Sequence, residues 1–186
     1  MSNIDDLVRA YEDIVHLPWD PTLAGAQRIW FAVYEPSQER RLRLRIPAFE
    51  AATKSQGYSW ALVDLTNTFA EWMSNHEYRD AYFEQPEDLE LALPDYAHFV
   101  AERVRGTLTA SKVDEKRIVA VLGLGSIFGL TYASELFREV APLVHGRLLA
   151  FFPGRYEGSN YRLLDARDGW NYLAVPITAK DWGTKE

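Results

Sequence analysis

The chain has 186 residues, 47% of them hydrophobic, and a formal net charge of −7. That length supports one globular domain burying roughly two-thirds of its unfolded surface, and the acidic balance argues against nonspecific DNA binding, which depends on phosphate neutralisation by Lys and Arg. Cys is absent, which excludes a disulfide framework, a thiolate metal site and a Cys nucleophile.

Residues 4–16 set Ile4, Leu7, Val8, Tyr11, Ile14 and Val15 at three- and four-residue spacing, the pattern of an amphipathic helix. Ser2 or Asn3 can cap it by accepting from first-turn amides, and Pro18-Trp19-Asp20-Pro21 ends it. This start has neither the cationic opening nor the apolar core of a signal peptide. Ile29–Tyr34 is a continuous apolar strand, expected to be buried on both faces. A helix follows over 38–56, bent at Pro47 and stopped by Gly57; it contains the basic run Arg40, Arg41, Arg43 and Arg45. Residues 59–66 form a second strand that leaves Asp64 and Thr66 at its C-terminal end.

A short helix over 68–75 leads into residues 77–95, which hold seven acids against Arg79 alone. A longer helix spans 93–109, a third strand 117–122, and Gly123–Gly129 turns the chain into a helix over 130–143. A fourth strand occupies 147–152, and Val175 lies in a fifth. Between them, a Pro153-Gly154 break opens a stretch dense in charges and aromatics. It lacks a helix-length apolar pattern, which leaves either an antiparallel return or a wide loop. Alternating strands and helices make a single three-layer, Rossmann-like α/β domain over 1–179 the economical fold, with a mostly parallel sheet of about five strands and a fraying tail over 180–186. The longest apolar run, 118–130, is interrupted by three glycines and falls short of the ~18 residues that span a bilayer. A soluble, cytoplasmic protein is the expectation.

Gly123-Leu124-Gly125-Ser126-Ile127-Phe128-Gly129 sits where many doubly wound folds bind phosphate. Its spacing matches neither G-x-G-x-x-G, which needs Gly at position 128, nor a Walker loop, which needs a Lys. A tight turn explains the glycines as well. Asp64 resembles a magnesium-binding carboxylate at a strand end, but its neighbour Leu65 supplies no second acid, and a turn bond is the plainer reading. Asp64, Gly123, Gly125, Ser126 and Gly129 are therefore weak candidates for a degenerate nucleotide site. Gly-Leu-Gly-Ser-Ile lacks the closing glycine of a serine-hydrolase elbow, and His16, His76, His98 and His145 show no zinc spacing. No cofactor, metal or catalytic group is expected.

The stretch after Gly154 holds Arg155, Arg162 and Arg167 against Glu157, Asp165 and Asp168, with Asn160, Tyr156, Tyr161 and Trp170 among them. Balanced charge with amphipathic aromatics suits a protein interface, and these ten residues are the expected partner-binding set. A loop that merely covers a sheet edge remains open. The acidic 77–95 segment and the basic 40–45 helix offer opposite-sign faces for steering association, and a homodimer is compatible with them.

The run from Phe151 to Tyr172, with Trp30–Tyr34, Leu62–Thr66 and Tyr78–Glu84, resembles the BrxB-like proteins, small components of BREX bacteriophage-defence systems. The resemblance implies a role in an assembly that methylates host DNA and blocks phage replication, whose larger members include a methyltransferase, an alkaline-phosphatase-like protein and an AAA+ ATPase. It implies no catalytic residue. A non-enzymatic adaptor for the phosphatase-like and ATPase components is the resulting expectation, with a degenerate nucleotide-binding domain or switch as the alternative.

Overall fold

The computed structural model describes residues 3–110, 115–166 and 169–179. Among these residues, six α-helices, α1 (Asn3–Val15), α2 (Glu39–Ser55), α3 (Thr68–Ser74), α4 (Arg79–Glu84), α5 (Leu93–Thr109) and α6 (Ala133–Val140), flank seven strands. The strands are β1 (Ile29–Tyr34), β2 (Ser59–Asp64), β3 (Arg117–Leu122), β4 (Arg147–Glu157), β5 (Asn160–Leu163), β6 (Trp170–Asn171) and β7 (Val175–Ile177). The main sheet runs β2-β3-β4-β1-β7, and each neighbouring pair in it is parallel.

Strand periodicity divides the core in two. Trp30, Ala32 and Tyr34 of β1 point to one face and join Ile118, Leu149 and Phe151 beneath α1 and α2. Ile29, Phe31 and Val33 point to the other, where Val119, Val121 and Phe152 meet α3, α5 and α6. Every residue of β1 is buried, because β4 and β7 flank it and helices cover both faces. α1 docks on α2 through Tyr11, whose ring lies 5.1 Å from that of Phe49 and whose hydroxyl meets the Thr53 hydroxyl at 2.5 Å. Each large apolar side chain that α1 buries, such as Ile4 and Leu7, contributes about 1.5–3 kcal/mol. The result is a three-layer, Rossmann-like α/β domain.

Three expectations change. β4 continues through Pro153-Gly154 to Glu157 rather than breaking there. Its outer half leaves the main sheet and pairs antiparallel with β5, and β5 pairs with β6, so the expected loop is a three-stranded ribbon. The helix expected over 130–143 is shorter: residues 128–130 are a turn, Tyr132 is extended, and Pro142 converts the last part to a 3-10 turn over Ala141–Leu143. β2 reads as an apolar strand, yet much of it is exposed because it forms one margin of the sheet. The expected tail over 180–186 lies outside the described residues. Among the described residues, no helix is long and apolar enough to cross a membrane.

Candidate functional site

The C-terminal rim of the parallel sheet, where α/β folds commonly bind ligands, holds a closed polar network. Tyr34 at the end of β1 donates its hydroxyl to Glu39 of α2. Glu39 accepts from Arg43 one turn later at 2.7 Å. Arg43 reaches across to the Asp64 carboxylate at 3.0 Å and the Thr66 hydroxyl at 2.7 Å. The second Asp64 oxygen accepts from the Thr66 amide at 3.0 Å and the Thr66 hydroxyl at 2.5 Å. Partial burial alone would raise the Asp64 pKa; the Thr66 hydrogen bonds and the Arg43 guanidinium outweigh it and hold the carboxyl below its ordinary range. Burial and the Glu39 carboxylate push the Tyr34 phenol well above its usual value.

The glycine loop completes this rim by packing. Gly123 has φ +85°, and a Cβ there would lie 2.7 Å from the Thr66 amide nitrogen and 2.9 Å from Asp64 Oδ1. Only glycine fits both the left-handed backbone and that close approach. Gly125 packs against the side chains of Pro153 and Leu164, so the ribbon lies over the turn. The structure thus brings Asp64 and Gly123 together, as a nucleotide site requires, and uses both in a turn-to-turn contact. Ser126 lies in a 3-10 turn over Leu124–Ile127, and Gly129, φ +78°, ends the segment.

The ribbon is the second site. β4 and β5 are joined by Gly158-Ser159, both with positive φ, the two-residue turn whose twist matches paired strands. Alternation then sorts the ten expected partner-binding residues. Arg155, Glu157, Asn160 and Arg162 are exposed on the outer side, and Asp165 is exposed in the following turn. Tyr156, Tyr161 and Trp170 turn inward. Tyr161 is fully buried, its ring meets Phe31 edge-on at 4.6 Å, and its hydroxyl donates to the Ala174 carbonyl at 2.7 Å. Tyr161 is therefore a core residue rather than an interface anchor, because position 161 has the inward parity. Trp170 packs on Phe152 at 5.5 Å and is half-buried. Arg167 and Asp168 lie outside the described residues.

On the outer side, Arg155 stands directly opposite Arg162. Cβ atoms of such cross-strand pairs are about 4.5–5.5 Å apart, and like charges there are destabilising. Among the described residues, neither guanidinium has a carboxylate within 4.0 Å or a side-chain hydrogen bond, and neither Glu157 nor Asp165 has a cationic nitrogen within that distance. Beside the ribbon runs an apolar groove of about 410 Å³. Leu163 and Trp170 form one wall, and Phe128 and Tyr132, 40% and 71% exposed, belong to the other.

The remaining charged features are already paired in part. Arg45 of the basic run binds Asp5 at 2.9 Å and Arg43 belongs to the rim network, leaving Arg40 and Arg41 exposed. The acidic segment exposes Tyr78, Phe83 and Leu91 among its carboxylates. His98 and Glu102 of α5 approach Glu139 of α6 with ligand atoms within 4.8 Å, a grouping that spacing within either helix did not reveal. Arg105 bridges both carboxylates at 3.0 and 2.8 Å. Its Nε contact to Glu102 is a charge contact without hydrogen-bond alignment. A cation there would have to displace this guanidinium.

Fold and sites together define a Rossmann-like α/β domain with an internally satisfied rim and a ribbon whose described charges are unpaired. No family model matches the chain, and no curated protein or solved structure matches it.

Proposed function

We propose that this protein is a non-enzymatic adaptor that holds a partner protein through the outer side of the β4–β5 ribbon. The observation that carries this reading is the Arg155–Arg162 pair: two arginines opposed across paired strands, exposed and, among the described residues, without a carboxylate partner. Their mutual repulsion is relieved by an acidic surface that docks across both, since guanidinium forks suit bidentate carboxylate recognition. The groove beside the ribbon offers Phe128 and Tyr132 as apolar contacts for the same partner. The resemblance to BrxB-like proteins names the partners to test, the alkaline-phosphatase-like and AAA+ ATPase components of a BREX phage-defence assembly in the cytoplasm.

Capture of those two components by the intact chain, compared with capture by Arg155→Glu/Arg162→Glu, tests the proposal. Loss of capture with an unchanged circular-dichroism spectrum is the expected result. Equal recovery by both proteins counts against the ribbon as the interface.

The contact between Gly123 and Asp64 favours a second reading, a degenerate nucleotide switch. It predicts a thermal shift with ATP or GTP and magnesium, because a ligand that binds the native state raises its stability. A flat response removes it.

A further inference from the structure

The two margins of the sheet are finished differently. β7 has three residues and contains Pro176, which has no N–H to offer. Short length and proline are guards against edge-to-edge pairing. β2 is Ser-Trp-Ala-Leu-Val-Asp, six residues without Pro, Gly or Lys, and its one charge is at its end.

Backbone direction follows from the pairing. The amides of Ser59 and Leu65 donate to the carbonyls of Lys116 and Leu122 at 2.9 and 2.8 Å. With the register Ser59↔Arg117 through Asp64↔Leu122, the odd-numbered residues of β2 turn their backbone groups toward β3. Trp60, Leu62 and Asp64 therefore turn theirs outward, and among the described residues β3 is the one strand that pairs with β2. Leu62, in the middle of this open row, is 43% exposed.

We propose that β2 is a self-association edge: two copies of the chain pair their β2 strands antiparallel about a two-fold axis at Leu62. The outward residues are symmetric about that position. Leu62 exchanges both backbone bonds with its counterpart, and Trp60 of each copy pairs with Asp64 of the other. Every outward N–H and C=O of the three residues is then used once, in the self-complementary pattern that a two-fold interface demands. A second copy also brings a strand of equal length and twist and extends both helical layers. It introduces no like-charge contact within the strand pair, because Asp64 is already neutralised by Arg43 at 3.0 Å and comes opposite Trp60. The two five-stranded sheets become one continuous sheet. This inference does not depend on the ribbon's proposed role, since β5 and β6 extend from β4 rather than from β2.

Light scattering on the full chain gives the mass, and site-resolved amide exchange reads the edge. A dimer mass is expected, with the amides of Trp60, Leu62 and Asp64 protected in concentrated solution and released on dilution. Leu62→Lys places a charge in the seam and should halve the mass while circular dichroism stays unchanged. Leu62→Pro removes an outward amide without deleting a β2–β3 hydrogen bond and should do the same; if that variant unfolds, the lysine variant and the dilution series decide. A monomer mass for the natural chain at all concentrations overturns the proposal, as does a dimer that survives both substitutions. Protection of these amides that arises only on adding a different protein assigns the edge to that partner and overturns it too.

Discussion

The rim of the sheet and the outer side of the ribbon use the same residue types to opposite ends. At the rim, Arg43 is surrounded by Glu39, Asp64 and Thr66, and each group's charge or hydrogen-bonding capacity is met within the fold. On the ribbon, Arg155 and Arg162 face each other with no such company among the described residues. Charges satisfied internally hold turns together; charges left unsatisfied on a rigid surface are available to another molecule. On the proposed reading the rim serves stability and the ribbon recognition, although in other doubly wound folds the rim is where function resides.

The largest expected effect sharpens the split between the two sides of the ribbon. Tyr161→Ala empties a fully buried ring site and should cost about 3–5 kcal/mol, the range for large aromatic truncations. Tyr161→Phe keeps the ring and leaves the Ala174 carbonyl without its donor, for about 1–3 kcal/mol. Urea denaturation measures both. A neutral Tyr161→Ala would mean that the ribbon is not seated on the core.

Gly123→Ala tests whether the glycine turn is structural. A left-handed alanine costs about 1–2 kcal/mol before any clash, and its Cβ would press on the Thr66 amide. Stability should fall by at least that amount. An unchanged midpoint would break the packing account of this loop.

A smaller effect is set by pH. The folded Asp64 pKa is depressed, so its contribution is fully present above the ordinary Asp value and fades as pH falls through the lowered one. Because the carboxylate is partly exposed, solvent screening limits this to about 1 kcal/mol or less. Asp64→Asn should remove that part of the acid sensitivity in denaturation curves taken at stepped pH. Identical curves for the two proteins would show that the Thr66 and Arg43 contacts to the carboxylate are idle.

Much of the fold was legible because burial on both faces produces unbroken apolar strands. The limits of β1, β3 and α5 coincide with those read from Ile29–Tyr34, Arg117–Leu122 and Leu93–Thr109. The ribbon was not read as strands, because its charges and aromatics resemble an irregular loop. The usable signal was alternation: Arg155, Glu157, Asn160 and Arg162 outward, Tyr156, Tyr161 and Leu163 inward, around the Gly158-Ser159 turn. That same signal separates the exposed arginines from the buried tyrosine. β6, with two residues, is too short to show any period. The rim network was hidden for another reason: Arg43 meets Asp64 and Thr66 only after the chain has crossed from β1 to the far margin of the sheet.

The most direct measurement follows Arg155→Glu for stability and partner capture in the same preparation. The substitution sets a carboxylate opposite Arg162, replacing repulsion with an attractive cross-strand pair worth about 0.2–1 kcal/mol. The account predicts a melting temperature that holds or rises while capture of the phosphatase-like or ATPase component falls. A lower melting temperature, or capture equal to that of the natural chain, would contradict it.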